Sequence, residues 1–406
     1  MNILMLCTKF SLNENDPWLS NELADAFANQ KAQVHVVTID WARPYGAIDD
    51  EKTFPSGVKA VVLSPVAIQG FGSFVEKASK WIVSSMRAVR VVRNLQRIQK
   101  FDLTVGYSPA VTMALPLLVM SKLTKSKMYL IQWDFFPFHH QQIGLIKSRL
   151  IFKIAKFIEN KLMRLFNHIG CMTLMNVDYL KSHYDLKPEQ KVHLLPVWGS
   201  DQPIKLKSRD EVRRQLGLFP DAKLAVFGGQ ITHGRGIEQI LSVAKIAHRN
   251  GDDFYIVFIG SGELEYLVRD AISDGLNNVI LINRIVRDEY LSFVSGFDVA
   301  IVCTATGVDV PTFPSKTIDY FRLKLPIVAS VESTTDYGSF IFNNKIGLSS
   351  IVGNDDDFYQ NLKLAMNNAE LRQTWAENGY LYFCENMKVG IVANKIFADI
   401  MSGRRG

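Results

Sequence analysis

Short apolar runs alternate with stretches of helical spacing along this chain, and the same order occurs in both halves. The run "NILMLC" is followed by the helical pattern "WLSNELADAFANQ" and the run "QVHVVTI". From residue 223, "KLAVFGG", a helical pattern around "GIEQILSVAKIAHRN" and "FYIVFIG" repeat that order. Alternating strands and helices predict parallel sheets covered by helices on both faces. The sequence therefore predicts an α/β protein with two Rossmann-like, doubly wound domains facing a central cleft.

The length agrees with two domains, because 406 residues exceed what one hydrophobic core usually holds. The segment "VWGSDQPIKLKSRDEV" is polar and poorly periodic, which predicts a linker near residues 198–212. We expect an N-terminal domain over residues 1–200 and a C-terminal domain over residues 201–385. Residues 386–406 have the pattern of a C-terminal helix, and nothing in the sequence says where that helix packs.

Cysteine usage and the first residues indicate a cytoplasmic protein. The four cysteines, Cys7, Cys171, Cys303 and Cys384, form no CxxC pair, as is typical of reduced structural thiols. The start "MNILMLCTKF" has no basic leader, so we expect no signal peptide. No stretch reaches the roughly 18 to 20 apolar residues that cross a bilayer. We therefore expect a protein that is soluble or bound to a membrane surface.

The first turn argues against two common nucleotide sites. "CTKFSLNENDP" follows the first strand and contains no glycine, whereas a nicotinamide site requires G-x-G-x-x-G at that place. The P-loop pattern GxxxxGK[ST] is also absent from the sequence. Hydride transfer and ordinary hydrolysis of nucleoside triphosphates are therefore disfavoured.

The second half carries a glycine-rich turn that is suited to an anion. "VFGGQITHGRGIEQI" follows a strand and opens a helix, with Gly229 and Gln230 in the turn and Arg235 at the helix start. Glycines allow backbone N–H groups to approach an anion, and a helix start favours negative charge. Arg235 can hold phosphate oxygens in pairs. The alternative is a flexible turn whose arginine faces water.

The stretch "FPSKTIDYFRLKLPIVAS" predicts a second anion site at a helix start. Pro314 suits a first helical turn, and Ser315 and Lys316 follow it. Asp319 lies four residues after Ser315, on the same helix face and roughly 6 Å further along the axis. That distance is about the separation of a diphosphate from the ribose of one nucleotide. The alternative is a capped surface helix with an ordinary exposed acid.

With these residues the chain resembles the retaining glycosyltransferases of family 4, which have the two-domain GT-B fold. It is most similar to bacterial members with a "PSK…E" motif that build O-antigen, capsule or exopolysaccharide. "FIGSGELEYL", "VILINRIVRDEYLSFVSGFDVAIV", "LIQWDFFPFHHQQIG" and "VHLLPVWGSD" match further family segments. The resemblance implies transfer of a sugar from a nucleotide-sugar donor, in particular a UDP-sugar, to a glycan acceptor with retention of anomeric configuration.

The resemblance also implies roles for single residues. Arg235 would hold the donor diphosphate together with Ser315 and Lys316, and Asp319 would hold the ribose. In the rest of the donor site, the glycine-rich turn with Gly229 and Gln230 would contact the donor, and Arg284 and Ile285 would frame the nucleobase. Asp134 would lie beside the acceptor, and His139 and His140 follow it closely. Asp134, Arg235 and Lys316 are thus the candidate catalytic residues.

The chain departs from the family pattern at the donor sugar. The first glutamate of the Glu-x7-Glu pair falls on Pro311, and Asp309 is a hypothetical substitute. Gln230 stands where the family has another diphosphate arginine. Arg235, Lys316 and two helix starts would stabilise the leaving diphosphate without a metal ion. We therefore expect no metal and no cofactor beyond the donor substrate.

Positive charge is concentrated in two segments of the first half. Residues 77–100 carry seven basic residues and no acid, and residues 147–164 carry six basic residues and Glu159. The net charge of the whole chain is +6, which leaves −6 for the other residues. In the first segment the basic residues recur at helical spacing. In the second, Ile151, Ile154 and Ile158 share a helix face with Leu162 and Leu165, opposite basic residues.

Basic amphipathic helices suit an anionic membrane surface. We therefore expect a peripheral protein on the inner face of the plasma membrane, with an acceptor on a lipid carrier such as undecaprenyl. The alternative is that both helices cover the sheet and expose a basic outer face. No nucleic-acid motif accompanies the charge, so we expect no nucleic-acid partner. Two rival functions stay open, a nucleotide-sugar epimerase of the same architecture and a non-catalytic nucleotide-sugar-binding relic.

Overall fold

A computed structural model describes residues 1–67, 73–304 and 306–401. The chain forms two compact units. Unit 1 consists of Met1–Ser200 together with the chain from Val389 onward, and unit 2 is Asp201–Lys388. Of the predicted C-terminal segment 386–406, residues 402–406 lie outside the described residues, and so do the side chains of residues 77–79 in the first basic segment.

Unit 1 contains an eight-stranded sheet with the order β3-β4-β2-β1-β5-β6-β7-β8. Neighbouring strands are parallel except β3, which runs antiparallel to β4 at the edge. The strands are β1 (Asn2–Cys7), β2 (Gln33–Ile39), β3 (Asp50–Thr53), β4 (Lys59–Leu63), β5 (Leu103–Tyr107), β6 (Lys127–Gln132), β7 (His168–Cys171) and β8 (Lys191–Leu194).

Helices lie between these strands in the order that a doubly wound sheet requires. They are α1 (Leu19–Asn29), α2 (Ser73–Ile98), α3 (Ala114–Leu123), α4 (Phe138–Gln142), α5 (Arg149–Met163) and α6 (Leu174–His183), with a 3-10 turn at Ala110–Met113 before α3. The central strands are apolar on both faces, since every residue from Ile3 to Cys7 is buried. Continuous apolar runs are typical of strands that helices cover on both sides.

Unit 2 contains a fully parallel six-stranded sheet with the order β11-β10-β9-β12-β13-β14. The strands are β9 (Lys223–Gly228), β10 (Phe254–Ile259), β11 (Val279–Ile282), β12 (Val299–Cys303), β13 (Ile327–Val331) and β14 (Gly347–Ile351). The strand order reverses between β9 and β12, and ligands of such sheets bind beyond the carboxyl ends of the strands at that point.

The helices of unit 2 cover both faces of this sheet. They are α7 (Arg209–Gln215), α8 (Ile237–Arg249), α9 (Glu265–Ser273), α10 (Arg287–Val294), α11 (Lys316–Arg322), α12 (Tyr337–Asn343), α13 (Asp355–Asn367) and α14 (Ala369–Tyr382), followed by a π-helical turn at Phe383–Met387. Buried apolar residues of α8, α9, α13 and α14 share one core with β9, β10 and β12.

The last helix, α15 (Val389–Met401), returns to unit 1. Val392, Ala393 and Ile396 are buried in the same core as α1 and the central strands. Phe397 stacks on Phe27 of α1 with ring centroids 5.1 Å apart. The packing partner that the sequence left open is thus the sheet face that carries α1.

One helix lies partly inside the segment predicted as linker. α7 begins at Arg209 because Ser208 and Glu211 form a capping box, in which the Ser208 N–H donates to Glu211 Oε2 at 2.7 Å. Arg213 of this helix is buried and pairs with Asp298 at 2.5 Å, which fixes α7 to unit 2. The irregular connection is therefore shorter than predicted.

All four cysteines are free, as the sequence analysis predicted, and three of them are fully buried. Within the described ranges no helix combines the length and the apolar character that a bilayer crossing requires. The predicted α/β class with two parallel, Rossmann-like sheets is confirmed.

Candidate functional site

The residues predicted to bind the donor lie at the carboxyl edge of the unit 2 sheet. They follow three strands: Gly229, Gln230 and Arg235 after β9, Arg284 and Ile285 after β11, and Asp309, Ser315, Lys316 and Asp319 after β12. Because β9 and β12 are neighbours, the loops after them meet where the strand order reverses. This is the position at which doubly wound sheets bind their ligands.

Two glycines allow the close packing of this edge. A Cβ on Gly228 would lie 1.9 Å from the Tyr290 hydroxyl oxygen, so no larger residue fits there. Gly236 has φ +62° and caps α8, and a Cβ on it would lie 2.2 Å from Cys303 Sγ. The start of α8 can therefore lie directly against the end of β12, with its free N–H groups at the edge of the sheet.

Lys316 carries a buried amine that is left without a hydrogen bond. Its Nζ has no hydrogen-bond partner among the residues that the structure describes. The nitrogen lies 3.7 Å from the centroid of the Phe227 ring and 3.7 Å from the place that a Cβ would take on Gly229. Burial, and secondly the positive charge of Arg235, lower the pKa of Lys316 to about 7. A buried cation without a counter-charge is suited to receive an anion.

The start of α11 differs in detail from the prediction. Ser315 is the N-cap residue, exposed and without a side-chain capping bond, and Lys316 is the first helical residue. Pro314 therefore precedes the cap instead of lying in the first turn. Gly229, Gln230 and Arg235 are exposed to solvent beside this helix start.

Asp319 is already held by an arginine that the sequence analysis did not single out. Arg287 donates from Nη1 to Oδ2 at 3.1 Å and from Nη2 to Oδ1 at 2.9 Å. The Asp319 side chain is nearly buried, and Arg322 Nη1 lies 4.0 Å from Oδ1. A carboxylate oxygen accepts more than one hydrogen bond, so this pairing orients Asp319 and leaves acceptor capacity. The alternative of an ordinary exposed acid does not hold, because Asp319 is buried and paired.

The loop after β12 carries Asp309 next to a second acid that the sequence did not reveal. Glu332 follows β13, and Thr304 donates its hydroxyl to Glu332 Oε2 at 2.5 Å. Burial raises the pKa of Glu332, and the negative charge of Asp309 contributes to that rise. Pro311, two residues after Asp309, is buried, whereas Asp309 is exposed. Only the fold brings Asp309 and Glu332 together, because they lie on different loops.

The residues predicted beside the acceptor lie in unit 1, at the carboxyl end of β6. Asp134 is exposed, and its N–H donates to Ser108 Oγ at 2.8 Å. His139 and His140 are half-buried on the short helix α4. Burial lowers the pKa of His140, and the charge of Asp134 acts in the opposite direction. Asp134 and His140 therefore interact electrostatically.

The apolar stripe on α5 faces solvent. The stripe consists of residues that recur at helical spacing and are each more than a third exposed: Leu150, Ile151, Ile154, Phe157 and Ile158. Phe157 is 62% exposed. Lys147, Lys153 and Lys161 are exposed beside it, whereas Leu162 is buried in the unit.

The other basic helix, α2, contacts unit 1 through several of its side chains and exposes others to water. Arg87 donates to Ser64 O at 2.8 Å and forms an ion pair with Asp49. Arg90, Arg93 and Arg97 are exposed, together with large apolar side chains such as Ile82. Both basic helices thus expose apolar and basic groups side by side.

In the parts of the chain described here, no three His, Cys, Asp or Glu side chains are grouped closely enough to hold a metal ion.

Comparison with known proteins relates this chain to glycosyltransferases. Residues 208–382 match the family model described as Glycosyl transferases group 1. The amylovoran biosynthesis glycosyltransferase AmsK of Erwinia amylovora is 24% identical over 150 residues, which is 36% of this chain. The aligned part spans 35% of that curated relative.

Similar solved structures cover nearly the whole chain. Sucrose-phosphate synthase from Thermosynechococcus elongatus is 12% identical with a TM-score of 0.75, and the match covers 99% of this chain and 100% of that one. Anabaena HepE in complex with UDP-glucose gives 12% identity, a TM-score of 0.69 and coverage of 99% and 100%. WaaG, a glycosyltransferase involved in lipopolysaccharide biosynthesis, is 14% identical with a TM-score of 0.65, and the match covers 99% of this chain and 100% of that one.

At such identities the solved structures show the fold alone, and they confirm the predicted GT-B class of two Rossmann-like domains. The family match adds an assignment for the unit that holds Lys316 and Asp319. Residues 208–382 of this chain are similar to the glycosyl transferases group 1 family.

Proposed function

We propose that the chain is a glycosyltransferase that moves a sugar from a nucleotide-sugar, in particular a UDP-sugar, to a glycan acceptor with retention of configuration. The observation that carries the proposal is the buried Nζ of Lys316, without a hydrogen-bond partner in the described structure and beneath the glycine-rich turn. The group 1 domain supports a glycosyltransferase. The resemblance to retaining family 4 supports retention.

The chemistry that these residues support is stabilisation of a leaving diphosphate. In a retaining transfer without a protein nucleophile, the acceptor hydroxyl attacks on the face from which the diphosphate departs. Negative charge then develops on the diphosphate oxygens, where preformed donors act best. Lys316, Arg235 and the N–H groups at the start of α8 are such donors, and we expect the reaction to need no divalent metal.

The acceptor side of the proposal rests on unit 1. Asp134 is exposed at the carboxyl end of β6 with His140 close enough to feel its charge. The exposed apolar stripe and the neighbouring lysines on α5 suit an anionic membrane surface. We therefore propose a lipid-linked glycan acceptor, undecaprenyl-linked in a bacterium, and a role in surface polysaccharide synthesis. AmsK, named for amylovoran biosynthesis, supports that context.

The test is a panel of UDP-, GDP- and dTDP-sugars, read by nucleotide release in the presence of glycan acceptors. For the productive donor, Lys316→Ala is expected to lower turnover about 100-fold or more, because a preformed donor to the leaving group is lost. Lys245→Ala, an exposed lysine on α8, is the matched control and should keep the wild-type rate. The same assay in EDTA is expected to give unchanged rates.

Equal turnover in folded Lys316→Ala and Lys245→Ala would contradict the proposal. Conversion of a UDP-sugar to an epimer without any acceptor would favour the epimerase instead. Nucleotide binding without transfer or donor hydrolysis would identify a non-catalytic protein.

A further inference from the structure

Glu159 is the exceptional residue of α5. It is the single acid among the basic residues of segment 147–164, and its side chain is fully buried although its neighbours in the stripe are exposed. Both carboxylate oxygens are occupied by backbone donors. Ala110 N–H donates to Oε1 at 2.7 Å, and Val111 N–H donates to Oε2 at 3.0 Å. The carboxylate thus holds the start of the 3-10 turn that follows β5.

Burial and the two backbone hydrogen bonds act in opposite directions on the protonation of Glu159. Burial raises the pKa of Glu159 to about 7, although the two N–H donors act in the opposite direction. The ionised form is therefore disfavoured in the folded protein relative to water.

The turn held by Glu159 is tied to the loop that carries Asp134. Ser108 lies two residues before this turn, and its Oγ accepts hydrogen bonds from Trp133 N–H and Asp134 N–H, both at 2.8 Å. β5 and β6 are neighbouring parallel strands, so the two loops leave the same edge of the sheet. One short stretch, Ser108–Val111, therefore contacts both the Glu159 carboxylate and the Asp134 backbone.

We propose that Glu159 is a positioning residue that holds Asp134 in place for the transfer reaction by fixing the Ser108–Val111 turn. This inference rests on the proposed function, because it assigns Asp134 to the acceptor site. It also relates the acceptor site to the membrane surface. The helix whose outer face carries the apolar stripe carries on its inner face the carboxylate that holds the Asp134 loop.

Hydrogen exchange of single amides tests the connection without any need for catalysis. In Glu159→Gln the amide NH₂ replaces one acceptor oxygen, so either Ala110 or Val111 loses its partner. We expect the exchange of the amide that loses its partner to become about tenfold faster, and the exchange of Trp133 and Asp134 to accelerate with it. Ser108→Ala removes only the second connection and should accelerate Trp133 and Asp134 alone. Glu189→Gln, an exposed glutamate of unit 1, is the control without effect.

Unchanged exchange at Trp133 and Asp134 in folded Glu159→Gln would overturn the proposal. The wild-type protein gives an independent reading that needs no substitution. Once corrected for intrinsic rates, the four amides should exchange faster at pH 6 than at pH 8, since the protonated carboxyl group holds the turn less firmly. Tyr184 interacts electrostatically with Glu159. Burial, and secondly the charge of Glu159, raise the pKa of Tyr184 above 10, so Tyr184 stays neutral over this range.

Kinetics separate positioning from a merely structural effect. Glu159→Gln is expected to lower turnover with the glycan acceptor at least tenfold while the affinity for UDP, bound by unit 2, stays at the wild-type value. A parallel loss of UDP affinity would indicate general misfolding and contradict a positioning role. If the wild-type chain transfers no sugar but the exchange results hold, the proposed function fails while the structural connection stands.

Discussion

At the scale of single residues, Lys316 is the most informative side chain of the molecule. Most lysines keep the amine in water, whereas the Lys316 Nζ is buried against the Phe227 ring and beneath Gly229. This burial disfavours the charged form of the amine and, together with the positive charge of Arg235, lowers the pKa of Lys316 to about 7. A diphosphate placed at the turn would supply the negative charge that the amine lacks, and binding would raise the pKa again.

The affinity for UDP should therefore depend on pH. Below pH 7 Lys316 is charged before UDP binds, whereas above pH 7 binding must first take up a proton. Each unit of pH above 7 should weaken binding up to about tenfold until the pKa of the complex is reached. Calorimetric titration with UDP between pH 6.5 and 9 measures this slope.

Lys316→Arg provides the matched control, because a guanidinium stays charged over the whole range. This variant should bind UDP with little dependence on pH, and Lys245→Ala should show the wild-type slope. A flat profile in the wild-type protein would contradict binding of the diphosphate by a Lys316 amine that is neutral above pH 7.

Asp319 shows at the same scale what the sequence could and could not provide. Its spacing from Ser315 predicted a shared helix face, and both residues do lie at the start of α11. The two hydrogen bonds from Arg287 were not predictable, because Arg287 belongs to α10 and follows a different strand. Contacts between residues distant in sequence require the strand order, which local patterns do not contain.

At the scale of single elements, α5 exposes an apolar surface that is unusual for a helix in contact with water. Its stripe of exposed apolar residues would cost free energy in water, since each is a large side chain that the unit leaves uncovered. The neighbouring lysines favour a negatively charged partner. Insertion of the stripe between the headgroups of an anionic bilayer satisfies both requirements.

We expect wild-type protein to sediment with vesicles that contain phosphatidylglycerol and much less with neutral phosphatidylcholine vesicles. Replacing Ile154 and Phe157 together by serine should weaken vesicle binding at least tenfold, since roughly 1.5–3 kcal/mol per buried side chain is lost. Phe219→Ser is the control, because Phe219 is 79% exposed in unit 2. Equal sedimentation with both vesicle types would refute the membrane assignment.

The periodicity of segment 147–165 correctly predicted a helix, but it could not tell which face would be covered. Leu162 and Ile158 belong to the same apolar pattern, yet the first is buried and the second is exposed. Leu162 lies in the last turn of α5, which packs into the unit, whereas Ile158 lies in the exposed stripe. Amphipathic spacing defines a face, and the fold decides whether that face meets protein or solvent.

At the scale of the whole molecule, the sequence predicted the fold well, because alternating strands and helices leave few other architectures. The two sheets, the helix after each central strand and the glycine-rich turn lie where the apolar runs indicated. The start of α7 and the packing of α15 were not predicted. α7 begins within a polar stretch, and α15 packs against α1 although more than 350 residues separate them.

Of the candidate site, the sequence located the strands that precede it but not the partners within it. The side chains of Arg287, Glu332 and Glu159 each form a hydrogen bond with a residue on another element. The single signal available beforehand was the isolation of Glu159 as the sole acid in a basic segment. That isolation marks a residue held for a specific contact, and only the structure identified the contact.

The central claim is that unit 2 binds the diphosphate of a nucleotide-sugar through Lys316. Calorimetric titrations with UDP and UMP, in wild type and in Lys316→Ala, test it most directly, because the two nucleotides differ only by the second phosphate. We expect the wild-type protein to bind UDP at least about tenfold more tightly than UMP, and we expect Lys316→Ala to lose most of this preference. Equal affinities in the wild-type protein, or an undiminished preference in the variant, would contradict it.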